Sequence, residues 1–266
     1  MTAKGKVYLY LVLFMFVLSL AAPFLPLHKP ETIDLDSLQK PPGFAHPFGT
    51  DHKGRDIFSR VIYGAKISIG IALTAAAAAC IIGSLAGLAA GYCGGMTDSV
   101  ITAVVDFTMS FPALLLAIAI SVVLPPGIHS AMIALSATGW TSFARLMRGK
   151  VLTVRGLSFV DAARAAGCSD ARVLFIHILP NCLRVAFVMM GIKLGGFILA
   201  EATLGFLGLG VQPPAPSWGA MISSSRAYIL TAPWTVFFPG LMITATAFCF
   251  NLYAEKLKET CDNRMP

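Results

Sequence analysis

The chain has 266 residues, of which 56% are hydrophobic and only 12% charged, against about 25% charged in an ordinary soluble domain. That balance excludes a freely soluble monomer. The formal charge of +7 comes from basic residues scattered at the ends of apolar runs, with no single patch interleaved with aromatics, so it points to membrane anchoring and away from nucleic acid.

The expected fold is all-α: a polytopic membrane protein with about six spans of roughly 20 residues each. The first span is placed at 1–27, with its apolar core at about 7–27 behind Lys4 and Lys6. Its flanks also fit a signal peptide with Ala21 and Ala22 at the cleavage region, but an apolar run of about 20 residues exceeds the 7–15 of a signal h-region. A polar extracytoplasmic loop, 28–66, follows. Within it, 56–66 reads as a short amphipathic helix lying along the membrane with Ile57, Phe58, Val61 and Ile62 inward. The core, 67–253, holds five further spans at about 67–91, 101–124, 131–146, 185–207 and 234–253, and 254–266 is a tail. Gly205, Gly208 and Gly210 with Pro213, Pro214 and Pro216 argue against a straight helix at the outer end of the fifth span.

Orientation follows from Lys and Arg. With the N-terminus inside, twelve fall on inner segments and seven on outer ones, six of the seven in the first loop. Both termini and the insert 147–183 are then cytoplasmic. Cysteines fall on the inner side or in spans, so disulfides are not expected. No Cys-x-x-Cys pair occurs and the five histidines are dispersed, which gives no basis for a structural zinc site.

The insert is the unusual part. Asp161 sits in the first turn of an expected helix, where a carboxylate favours the positive end of the dipole. Ala162, Ala163, Ala165 and Ala166 form helix readily and offer a smooth face that a partner's groove can take. Gly167 is the expected left-handed stop, Ser169 or Asp170 caps the next helix, and Arg172 lies in its first turn. The outcome is helix, sharp bend, helix: a docking site, or else an ordinary solvated connector. The chain lacks a phosphate loop, because Gly5-Lys6 and Gly149-Lys150 have neither the upstream glycine nor the following hydroxyl. No nucleophile elbow accompanies its serines, so catalysis is not expected.

Two membrane acids remain. Glu201 lies in the outer part of the fifth span. It either contacts cargo, such as the cationic end of a peptide or a metal complex, or makes a structural bond to a neighbouring helix. Lys193 precedes it by eight residues, about 12 Å along a helix. Asp106, before Met109-Ser110-Phe111-Pro112 in the third span, reads as a path residue or, better, as a helix-interface or coupling residue.

Asp161-Ala162-Ala163, three residues, Gly167, nine residues, then His177-Ile178-Leu179-Pro180 resembles the E-A-A-x3-G-x9-I-x-L-P signature of permease subunits of bacterial ABC importers, with Asp for Glu and with His177 at a usually apolar position. Phe48-Gly49-Thr50-Asp51-His52-Lys53-Gly54-Arg55-Asp56, Ser59-Arg60 and Gly64-Ala65 resemble a block of the peptide and nickel branch. So do Phe206 to Pro214, Pro216-Ser217-Trp218-Gly219 and Phe238-Pro239-Gly240. The resemblance implies a type I importer permease of the inner membrane, the second or C-type subunit. It implies a partner permease, two ATP-binding subunits that hold ATP and Mg²⁺, and an extracytoplasmic solute-binding protein. The chain itself would need no cofactor or metal. Asp161, Ala162, Ala163, Gly167, Ser169 and Arg172 would couple to the ATPases. Peptides are the expected cargo, with nickel complexes as the alternative. A secondary transporter is the reading from another class, and it leaves the insert unexplained.

Overall fold

The computed structural model describes residues 27–262, with Tyr10, Phe14, Val17, Ala21 and Phe24 ahead of them. The expected first span therefore lies almost wholly outside the described residues. The described elements are helical: α1 (Ile57–Cys93), α2 (Gly95–Met109), α3 (Ala113–Val123), α4 (Ile128–Arg155), α5 (Ser158–Ala165), α6 (Asp170–Phe206), α7 (Trp218–Ser225) and α8 (Trp234–Asp262). Helices α1, α6 and α8 are each long and apolar enough to cross a membrane, and α2 with α3 makes a fourth crossing if the bent pair counts as one. Helix α4 has the length, but its last turns carry Arg145, Arg148, Lys150 and Arg155.

Three boundaries differ from expectation. The 56–66 segment is not a separate surface helix but the opening of α1, since nothing between Ile57 and Gly70 stops the helix. Its apolar face is buried on protein: Ile57 and Val61 pack with Met221, Trp234 and Phe238. The third span is broken, with α2 and α3 meeting at 90°. Pro112 accounts for the break, since its ring restricts Phe111 and it has no N–H to donate. At the ends next to the insert, α4 and α6 continue well beyond the apolar runs of the fourth and fifth spans, so only 156–169 of the insert lies outside them.

Helix α6 passes through Pro180 without stopping. Residues Val173–Ile178 form a π-helical turn in which Leu179 N–H donates to Leu174 O, five residues back. The wider turn absorbs the ring that would clash in an α-helix.

The core lies between α1 and α4. Gly83, Gly87 and Gly91 fall at four-residue spacing on one face of α1, and α4 runs directly over them. A β-carbon on Gly83 would come within 2.6 Å of Phe143 Cβ, on Gly87 within 2.7 Å of Met147 Cβ, and on Gly91 within 2.8 Å of Val151 Cβ. Glycine lets the two backbones approach to a distance that no other residue permits. Phe143, Met147 and Val151 are fully buried as a result.

A pair of variants isolates this contact. Gly87→Ala should lower stability in detergent by about 1–3 kcal/mol, as overpacking does. Gly70→Ala in the same helix, where an added methyl meets nothing, should be neutral or stabilising by about 0.5–1 kcal/mol. Thermal unfolding of the two purified variants checks the contrast, and equal midpoints would contradict it.

Candidate functional site

At one end of the bundle α5 forms the expected bend. Gly167 adopts φ +80°, its N–H donates to Arg164 O at 2.9 Å, and Cys168 N–H donates to Ala163 O at 3.1 Å. This pair of bonds closes the helix with a left-handed residue. Ser169 Oγ then accepts from Arg172 N–H at 3.4 Å and caps α6. The cap falls to Ser169 and not to Asp170, whose carboxylate accepts instead from the Tyr92 hydroxyl at 2.5 Å.

The exposed face of the bend carries Asp161, Ala162, Ala165, Ala166, Gly167, Ser169 and Arg172. Ala163 does not belong to it: only 9% exposed, it packs into the core with Val160 and Val173. The helical phase that brings Asp161 and Ala162 outward turns the next residue in. Asp161 and Arg164 approach to 3.7 Å, an exposed pair of little energetic weight. Leu157, Phe159, Phe175 and Ile176 are large, apolar and exposed around the bend. Such grouping marks a surface that another protein or lipid covers.

The membrane acids separate. Asp106 accepts from Arg145 Nη2 at 2.6 Å, and Asp98 takes both Nε and Nη2 of Arg148 at 2.5 and 2.7 Å. These pairs tie α2 to α4 beside a cavity of about 260 Å³ lined by Val105, Ala144, Arg145 and Arg148 among others. Glu201 is 1% exposed, with the Ser68 hydroxyl beside its carboxyl but no hydrogen bond of ordinary geometry to either oxygen. The nearby Ser68 hydroxyl accepts from Trp218 N–H at 3.2 Å. Asp106 and Glu201 are therefore not brought together.

At the opposite end, sequence blocks far apart in the chain converge. Asp51 closes a turn by accepting from Arg55 Nε at 2.6 Å and from the Lys53 and Arg55 N–H groups at 2.8 and 3.0 Å. Asp56 caps α1 through Ser59 N–H at 2.8 Å and also contacts His46 Nδ1 at 2.9 Å. Phe48 stacks on Phe238 with ring centroids 3.8 Å apart. Trp234 Nε1 donates to Thr50 O at 3.1 Å, and Trp218 Nε1 to Val61 O at 3.0 Å. Burial beside Tyr228 holds the His52 pKa below its ordinary value. The residues of the Phe48–Asp56 block thus build a cap that fixes the start of α1 against α7 and α8.

Residues 83–259 match the family model for the binding-protein-dependent transport system inner membrane component. The chain belongs to that family. It is 41% identical to a putative peptide transport system permease protein of Brucella suis, over 98% of this chain and 88% of that one. It is 40% identical to the probable D,D-dipeptide transport system permease protein of Escherichia coli, over 98% and 87%. An inward-facing structure of the MetNI methionine ABC transporter shares the fold, with a TM-score of 0.61 at 17% identity over 77% of this chain and 97% of that one. The protein is accordingly a multi-pass permease subunit of the ABC importer class.

Sequence reasoning missed Tyr92 and Arg155. Arg155 Nη1 donates to Tyr92 O at 2.8 Å and its guanidinium lies 5.8 Å from the Tyr92 ring centre. Nothing in the local sequence marks Tyr92, because its partners lie 63 and 78 positions away.

The cap yields a stability test. Asp56→Ala removes the helix cap and the His46 contact together and should cost about 1–2 kcal/mol. Limited proteolysis in detergent should then cut within 28–56 well before the helices, and unchanged resistance would show that the cap does not depend on Asp56.

Proposed function

We propose that this permease forms one half of the translocation path of an ATP-driven importer of short peptides. A second permease completes the path, an extracytoplasmic solute-binding protein delivers cargo, and two ATPase subunits that hold ATP and Mg²⁺ dock on the bend. The observation that carries the reading is the bend itself: a helix closed by Gly167, with small and acidic residues outward and large apolar residues exposed around it. The Lys and Arg distribution supports a cytoplasmic bend and cytoplasmic termini. Peptide cargo is supported by relatives named for peptide and dipeptide transport, and no comparable observation favours a nickel complex. Membership of a binding-protein-dependent family leaves the secondary-transporter reading without support.

In this reading, Asp161, Ala162, Gly167, Ser169 and Arg172 present the contact surface, while Ala163 anchors it to the core. ATP-driven closure of the ATPases would displace the bend and bias the spans between two packed arrangements. Asp106 serves the α2–α4 interface through Arg145. Glu201 is enclosed within this chain, which supports a packing role at the junction of α1, α6 and α7 over contact with cargo.

Two substitutions test the bend. Gly167→Pro removes a donated N–H and cannot adopt φ +80°, and Ala162→Trp fills the outward face without touching the core. Both should reach the membrane at normal levels, yet ATP-dependent peptide uptake should fall by at least about tenfold, the equivalent of 1.4 kcal/mol. Full uptake by either variant would overturn the docking assignment.

A further inference from the structure

Helix α1 is not joined directly to the bend: the chain reaches it only through α2, α3 and α4. Residues 156–169 are joined to α4 on one side and to α6 on the other, while α1 leads through Gly94 into α2. Yet α1 carries the cap at its far end, where Val61 O and Ser68 Oγ accept from Trp218 of α7 and Ile57 and Val61 pack with Trp234 and Phe238 of α8. Any movement of the bend that is to reach the cap along α1 must first cross a non-covalent junction.

Tyr92 stands at that junction, one residue before the end of α1. Its hydroxyl donates to Asp170 at 2.5 Å, in the first turn of α6. Arg164 of the bend lies alongside the same hydroxyl. The main-chain carbonyl of Tyr92 accepts from Arg155 at the last turn of α4 at 2.8 Å, and the same guanidinium lies over the Tyr92 ring. Tyr92 therefore ties both arms of the bend to the end of α1, α6 through its hydroxyl and α4 through its main-chain carbonyl and ring. Helix α1 is also stiff where it needs to be, since Gly83, Gly87 and Gly91 lock it against α4.

We propose that Tyr92 is a positioning residue for transport: it passes displacement of the bend into α1 and so to the cap, coupling ATP hydrolysis to opening at the far end. The proposal rests on the bend being the ATPase contact. It differs from that reading in assigning transmission to a residue outside the insert, through its hydroxyl.

The test uses the complete transporter, with partner permease, ATPase subunits and binding protein, in proteoliposomes. Uptake of radiolabelled dialanine and phosphate release are measured together. Tyr92→Phe keeps the ring and removes only the donor, so assembly should survive while peptide moved per ATP falls about three- to tenfold, the weight of one hydrogen bond. Asp170→Ala should produce a similar fall, and the double variant should be no worse than either single one, because both remove the same bond. A merely structural role would lower assembly or thermal stability and leave the ratio of transport to hydrolysis unchanged. An unchanged ratio in Tyr92→Phe, or strictly additive losses in the double variant, would overturn the proposal. Gly167→Pro run alongside separates the failures. If it abolishes uptake while Tyr92→Phe is normal, the docking reading stands and the strut is wrong; if it transports normally, the docking reading itself fails.

Discussion

The contact on which the rest of the architecture depends is the close approach of α1 and α4 over Gly83, Gly87 and Gly91. In a bilayer, lipid tails are as apolar as the side chains, so helices gain little by hiding Leu and Val from solvent. What holds them is dense packing, and small residues permit it. Once α4 lies on this stripe, Phe143, Met147 and Val151 are buried, and the ends of both helices are fixed side by side. Arg155 then meets Tyr92, and the bend emerges from a defined place.

The charged residues of the core follow from the same constraint. Asp98 and Asp106 on α2 have Arg148 and Arg145 within bonding distance only because α4 presents them on the side next to the glycine stripe. The two pairs hold the first half of a broken helix whose second half turns away by 90°. Glu201 differs in kind. Its carboxyl is buried with the Ser68 hydroxyl beside it but no hydrogen bond of ordinary geometry, and a buried carboxyl so weakly partnered is unfavourable. It is retained at a point where Gly205 and Gly219 let α6 and α7 nearly touch, a β-carbon on Gly219 falling within 2.9 Å of Ala202 Cα.

Much of this was legible in the sequence. The apolar runs, the bend closed by Gly167 and the irregular exit from α6 all follow from local chemistry: helix formers, then a residue able to take positive φ. Gly208, at φ +78°, ends α6 with the same bonding pattern that Gly167 gives α5. Local chemistry failed where the deciding partner is distant. The amphipathic face at 56–66 pointed to a membrane surface, but its apolar residues found Met221 and Trp234, more than 150 positions on. Ala163 was grouped with its outward neighbours because composition does not reveal helical phase. The Phe48–Asp56 block was legible as a motif but not as a cap, since its role depends on where Trp218, Trp234 and Phe238 come to lie.

The same three residues set the mechanical character of the molecule. Trp218 and Trp234 donate their ring N–H groups to carbonyls of α1 and of the turn before it, and Phe238 stacks on Phe48. Indole donors in an apolar setting have few alternative acceptors, so these bonds are hard to exchange for others. The start of α1 is therefore tied to α7 and α8 at one end, as its last turn is tied to α4 and α6 at the other. At 37 residues and 1.5 Å per residue the helix is about 55 Å long. A helix held at both ends and packed along its length cannot slide past its neighbours without breaking one set of ties. It can only tilt together with α4. Of all the elements, α1 is thus the one through which, on the proposed role of Tyr92, movement at the bend would reach the cap.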